Sequence, residues 1–311
     1  MKNRYIIFGI LIVSWSANAR AEQQVEKRVS SNHANGKVEI DIGEGSIQVI
    51  GWDKNEVEVT GTIGDRVERL DVRKGKRKVW VRAYLPKDGE AREAELVVYA
   101  PHSNDIDVQV FQGPILVSGI EGDIQLETFS GDISVSGPCK RVEAGTVNGD
   151  ITVDSAKRSA GADKVRAKTV AGAIVIKNVR REVEAQSISG PVTIAGNSLT
   201  KVVAKTVSGN VRFDGGLSRL GRLEIDTHSG EFIGVFPADL SAEFDITSYN
   251  GVVDNAFNPN AGSNQDFIQG EGDPQAEVKA TSFSGNIRVT KQSNGEGATA
   301  QAAAGQDKKE R

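Results

Sequence analysis

Few side chains in this sequence could carry chemistry, and their spacing is unpromising. His33, His102 and His228 stand too far apart for the short spacing of paired metal ligands. The lone Cys139 follows Gly137-Pro138 in a turn sequence. It excludes an intrachain disulfide framework and a cysteine-rich zinc site, and a partly buried thiol is expected. Asp123, Asp132 and Asp150 each follow a glycine. Polysaccharide lyases and hydrolases need clustered carboxylates, or carboxylates beside a base. If Asp132 and Asp150 stacked as neighbours, like charge would raise a pKa. The equivalent positions continue as Ala173, Pro191, Asn210, Glu231, Val252 and Asn286. That variety favours turn residues with solvated charge. Trp52 and Trp80 could stack on a sugar ring, but packing is the expectation. No phosphate loop, dinucleotide fingerprint, nucleophile elbow or calcium nonapeptide occurs. No catalytic, cofactor-binding or metal-binding residue is therefore assigned.

The elements that must position these residues are strands. The 311 residues include 35 Val and 24 Ile against 11 Leu, with 34 Gly and 8 Pro. β-Branched residues suit a pleated strand better than a helix. Abundant glycine marks many turns, so helical bundles, coiled coils and collagen are excluded. Aromatic residues are only 5% of the chain, which suits a thin cross-section.

A repeat organises the centre. The phrase Val142-Glu143-Ala144-Gly145-Thr146-Val147-Asn148-Gly149-Asp150-Ile151-Thr152-Val153 returns at 165–176, 183–194 and 202–213. Weaker copies surround Gly131, Gly230, Gly251 and Gly285, and a degenerate first copy contains Gly113. The marker glycines recur every 18 to 23 residues until a final gap of 34. Val142, Ala144 and Thr146 alternate, then Ile151 and Val153 do, with a phase shift at the Thr-Val step. Each repeat is thus a strand, a tight bend and a second strand. Aligned copies form a hydroxyl column (Thr128, Thr146, Thr169, Ser187, Thr206, Thr227, Ser248, Ser282). Beside it runs a mainly apolar column (Phe129, Val147, Val170, Ile188, Val207, His228, Tyr249, Phe283). A third, small or polar column begins Ser130, Asn148, Ala171. Parallel stacking at about 4.8 Å per layer rewards such like-on-like columns. His228 falls in the apolar column, so a packed or half-exposed ring is expected. The 34-residue gap holds an insertion at 254–275, read as a polar loop or arm leaving the stack.

The flanks differ. Lys2 and Arg4 precede an apolar run from Tyr5 to Val13, and Ala19-Arg20-Ala21 is a small-residue cleavage site before Glu22. Residues 1–21 therefore read as a signal peptide, and the run is too short to span a membrane as a helix. Cleavage would move the formal net charge from −4 to −7. An acidic surface argues against a nucleic-acid partner, and no integral membrane segment is expected after cleavage. The cluster Arg73-Lys74-Gly75-Lys76-Arg77-Lys78 reads as a hairpin turn. Residues 22–35 read as a linker. Residues 36–109 carry alternating runs such as Val38–Ile42, Ser46–Ile50 and Lys78–Arg82, read as an antiparallel β cap on the stack's open end. Residues 110–290 carry the repeats, and 291–311 lose all apolar periodicity and read as a disordered tail.

Three features carry a family resemblance: the Gly43-to-Asp53 phrase, the strand end Val98-Tyr99-Ala100-Pro101, and the Thr-Val-Ser-Gly-Asp-Ile-x-Val units. Together they resemble the bacterial β-strand-repeat "putative adhesin" family of unknown function over roughly residues 36–290. The resemblance implies a right-handed β-solenoid-like fold at the cell envelope and supplies no site residues. The expectation is therefore an all-β chain: a single-stranded, right-handed β-solenoid of about nine coils with an N-terminal antiparallel cap. Its expected function is a non-enzymatic, periplasmic or secreted scaffold for an envelope protein or glycan. A carbohydrate-active solenoid enzyme is the alternative.

Overall fold

The computed structural model describes residues 23–30, 35–64, 69–84, 94–155, 161–259, 262–270 and 276–292. Residues 1–21, read above as leader, and His33 lie outside them, as does the 291–311 tail beyond its first two residues; Lys291 instead ends the last strand, and Gln292 N donates to Phe236 O at 2.8 Å. Every regular element among the described residues is a strand. No helix there is long and apolar enough to cross a membrane.

The first third contains β1 (Gln23–Ser30), β2 (Lys37–Trp52), β3 (Glu56–Ile63), β4 (Arg69–Lys74), β5 (Lys78–Tyr84) and β6 (Ala94–Pro101). The repeats begin with β7 (Asp105–Gln112), β8 (Ile115–Ser118), β9 (Asp123–Ser130), β10 (Ile133–Ser136), β11 (Arg141–Gly145) and β12 (Ile151–Asp154). They continue through β13 (Lys164–Thr169), β14 (Ile174–Lys177), β15 (Glu182–Ser187), β16 (Val192–Thr206), β17 (Val211–Thr227) and β18 (Phe232–Phe236). The chain closes with β19 (Ala242–Ser248), β20 (Val253–Asn255), β21 (Asn264–Gln269), β22 (Ala276–Ser282) and β23 (Ile287–Lys291).

Each repeat forms one layer, and successive layers pair in parallel with residues in register. Val142 lies over Ile124 and against Val165, while Ile151 lies between Ile133 and Ile174. The inward-facing Val, Ile and Ala of every layer are buried in one continuous core. Outward-facing charges pair between layers. Arg166 reaches Glu143 at 3.4 Å and Glu184 at 3.0 Å, and Lys164 meets Glu182 at 3.0 Å. The Lys164 ammonium lowers the Glu182 pKa below its ordinary value.

The N-terminal region departs from an antiparallel cap. β2 is one bent strand and a layer in its own right. Its first half pairs in parallel with β5 and β7, and its second half with β6 and β8. The bend sits at Gly45, with φ +133°. β5 and β6 form a further layer outside β2, so the stack has two layers beyond those marked by the nine repeat glycines. Alternation specifies a strand but not its partner, so the sequence alone left the pairing open. The antiparallel strands are the outer ones: β4 on β5, β3 on β6, and β1 on β3. Gln23–Ser30, read as linker, is therefore part of the sheet.

The C-terminal end mirrors this arrangement. β22 lies between β17 and β19, and β23 lies between β18 and β20. The last layer in sequence is thus the penultimate one in space. The insertion does not leave the stack. It supplies β21, which pairs antiparallel with β19. Buried Asn255 Nδ2 donates to Gln265 Oε1 at 2.9 Å, tying β20 to β21. Both ends therefore finish in antiparallel strands that cover parallel edges.

The layers approach closely at the marker glycines. A Cβ on Gly149 would meet the carbonyl of Gly131, and one on Gly190 would meet the carbonyl of Gly172. Gly149 also has φ +156°, whereas Gly190 needs glycine for space alone. Gly190→Ala should therefore cost about 1–3 kcal/mol of stability, as forced overpacking does. Gly145→Ala, whose Cβ would meet nothing within 4 Å, should stay within about 0.5 kcal/mol. Equal midpoints for both variants in denaturant unfolding would contradict this packing. Excising residues 258–270 should lower the melting temperature and produce concentration-dependent light scattering, because β19 would become an open edge. A monodisperse, equally stable product would refute the capping role of β21.

Candidate functional site

The bend between the two strands of each layer builds the site. Here the hydroxyl column is buried and its hydrogen bonds stay inside the protein. Thr146 Oγ1 donates to Gly131 O at 3.2 Å, Thr169 Oγ1 to Gly149 O at 3.2 Å, and Ser187 Oγ to Gly172 O at 3.4 Å. Each of these bonds reaches the marker glycine of the preceding layer. Gly190 N donates to Ser187 Oγ and Gly209 N to Thr206 Oγ1, both at 2.9 Å. The third column pins the backbone of the apolar one. Ser189 Oγ donates to Val170 O at 3.2 Å, and Ser229 Oγ to Val207 O at 3.1 Å.

The apolar column between them faces outward. Val170 is 41% exposed, Ile188 50%, Phe283 50% and Tyr249 68%. Phe111 extends this ladder at the N-terminal end, stacked on Phe129 with centroids 5.3 Å apart. His228 is exposed and lies parallel to Phe283 at 4.9 Å, with an interplanar angle of 1°. Tyr249 follows Phe283 at 6.3 Å. Tyr249 terminates the ladder because its layer is the outermost one.

A groove of about 700 Å³ runs beside the C-terminal part of this ladder. One wall is the ladder from Val170 to Tyr249. The other is the column formed by Lys168, Gln186, Lys205, Asp226 and Thr281, two positions earlier in each strand. The buried hydroxyls form the floor. The sequence reading missed this groove. The signal was present as Val, Ile and aromatic residues immediately after the phase shift. Their outward direction depends on how sharply the bend turns.

The residues singled out from sequence have other tasks. Asp132 Oδ1 accepts from Asp150 N at 2.9 Å, and Asp150 Oδ1 accepts from Ala173 N at 2.7 Å. Asn210 and Asn286 do the same for Glu231 and Val252, at 2.9 and 3.0 Å. These side chains link the turns of successive layers. Asp123 lies 3.6 Å from Arg141. His102 Nδ1 bonds the Gly119 carbonyl and stands far along the stack from His228. Trp52 stacks on Tyr99 at 5.1 Å and donates to Glu56 O at 2.9 Å. Trp80 lies across from Arg73 in the β4–β5 hairpin, whose turn carries the basic cluster. Among the described residues, no group of three or more His, Cys, Asp or Glu could hold a metal ion.

The family profile of Toastrack DUF4097 matches residues 35–290. The chain belongs to this family. Among solved structures, it is similar to a putative adhesin from Bacteroides fragilis at 14% identity, covering 87% of this chain and 98% of that one, with a TM-score of 0.45. It is also similar to a putative adhesin from Parabacteroides distasonis at 10% identity, covering 87% and 98%, with a TM-score of 0.39. A putative lipid binding protein from the same organism is similar at 10% identity, covering 86% and 96%, with a TM-score of 0.38. No curated protein matches the chain.

Cys139 is buried and free, and burial pushes its thiol pKa up to about 12. Little thiolate forms near neutral pH, so the group is neither a ready nucleophile nor a ready metal ligand. A disulfide reagent should label it negligibly in the folded protein and fully in denaturant. Rapid labelling of the folded protein would refute this placement.

Proposed function

We propose that this Toastrack chain is a non-enzymatic, exported scaffold that uses its lateral apolar ladder to recognise a cell-envelope component. In this reading the stacked layers wind as a right-handed β-solenoid. Residues 1–21 are removed on export to the periplasm or beyond. The basic n-region, short apolar run and Ala19-Arg20-Ala21 site support export.

The carrying observation is the outward-facing ladder from Phe111 to Tyr249, exposed along its length except at the half-buried Val147. Exposed apolar residues scattered singly need no explanation, but a contiguous row flanked by polar residues marks an interaction surface. The stack behind it is stiff, since every layer is hydrogen-bonded to its neighbours, so the row is held in place before binding. The carboxylates considered for glycan cleavage do not favour the enzymatic alternative, because Asp132 and Asp150 serve as interlayer acceptors and Asp123 pairs with Arg141. In a pull-down from solubilised envelope, the Phe129→Asp/Ile188→Asp variant should retain less than about a tenth of wild-type capture, as expected for hot-spot positions. It should keep its melting temperature within a few degrees. Undiminished capture would overturn the ladder's role.

A further inference from the structure

The composition of the groove restricts what it can hold. Its floor is rich in Thr and Ser, yet those hydroxyls are already used. Thr169, Ser187 and Thr227 donate to glycine carbonyls, and Thr206 accepts from a glycine amide. A sugar would find few polar partners there. It would also find few free ring faces, because His228 and Phe283 lie face to face and turn their edges outward. An extended peptide would find no open sheet edge. Ladder amides bond from layer to layer, as in Val207 N to Ile188 O at 3.2 Å and Asn250 N to Phe283 O at 3.0 Å. What remains is a straight apolar track. It spans the six layers from Val170 to Tyr249, about 24 Å at roughly 4.8 Å per layer.

The track has a polar end. Lys168 stands at its start and, among the described residues, has no carboxylate partner, whereas Lys205 is paired with Glu224 at 3.3 Å. The position preceding Lys168 in the same column is Gly145, which has no side chain to continue the wall, and the exposed Glu127 stands one layer further on. The groove is therefore open beside its one unpaired cation.

We propose that the groove binds a single long acyl chain with an anionic head, a fatty carboxylate. The chain lies along Val170, Ile188, Val207, His228, Phe283 and Tyr249, and the carboxylate sits on the Lys168 ammonium at the track's end, one layer short of Gly145 and two short of Glu127. An extended chain advances about 1.3 Å per methylene, given carbon–carbon bonds of about 1.5 Å. The track thus matches a chain of roughly 18 carbons at about 4.8 Å per layer. The groove volume of about 700 Å³ falls within the roughly 300–1,000 Å³ common for small-ligand sites. This inference rests on the reading of the ladder as a recognition face and names the chemistry it recognises.

The test uses the mature chain and parinaric acid, a fluorescent long-chain carboxylate, displaced by saturated fatty acids from octanoate to stearate. The expected result is saturable binding that tightens about two- to fourfold per added methylene and levels off near stearate. Ile188→Lys should weaken it by roughly tenfold or more, because an ammonium would be placed in the apolar track. Lys168→Glu should weaken the carboxylate by about fivefold, the upper range for an exposed ion pair, while leaving stearyl alcohol unchanged. Melting curves establish that both variants are folded. Absence of saturable binding, indifference to chain length, or indifference to Ile188→Lys would overturn the inference. So would light scattering showing a wild-type dimer that Ile188→Lys converts to monomer, since a second copy would then own the face. If fatty acids fail while the ladder variant still loses envelope capture, the scaffold reading stands and only the acyl ligand falls.

Discussion

The structure depends on how closely one layer's bend sits on the next. At each marker position the backbone of one layer meets the glycine carbonyl of its neighbour, with no room for a Cβ. This approach holds both flanking strands at hydrogen-bonding distance in parallel register. It also explains why the repeat is strict at glycine and loose elsewhere. A side chain there would push apart two interlayer ladders at once, whereas a change on the outer face alters only one column.

The same approach determines the chemistry of the surface. Because the glycine carbonyl and amide lie within reach, the adjoining Thr or Ser satisfies them and is withdrawn from solvent. The Asp or Asn after the glycine is likewise engaged by a backbone amide of the next layer. Residues that read as polar and reactive therefore become internal fastenings. The apolar residue between them projects outward, because the bend turns the pleat at that point. The surface inverts the simple expectation: hydroxyls are buried and Val, Ile and Phe are exposed. It is this inversion that creates an apolar track along a protein clothed elsewhere in interlayer ion pairs.

The ends follow another constraint. A parallel stack must stop somewhere, and an open edge invites further strands. At both ends the chain places a layer out of sequence order and then returns antiparallel over the outermost strand. β3 and β4 do so at one end and β21 at the other. End-to-end growth into fibres, which bare parallel edges would favour, is opposed by these strands. Phe267 on β21 stacks on Phe244 of β19 at 5.1 Å, so the covering strand also contributes to the core.

The all-β class, the layered repeat, its glycine markers and the three columns were legible in the sequence. Period-two alternation and like-on-like columns are local signals that stacking preserves. Long-range pairing was not legible. Nothing local in Val38–Ile42 and Ser46–Ile50 says that they form a layer between β5–β6 and β7–β8, because alternation is indifferent to whether the partner runs parallel or antiparallel. The order of the last layers was hidden for the same reason, since the 34-residue gap fits a projecting arm as readily as a covering strand. The sequence by itself determined which residues stack on which kind. Only the tertiary structure decided which side of the bend meets water, and hence that the Val170-to-Tyr249 column is a groove wall, because that depends on the angle at which two strands of one layer turn.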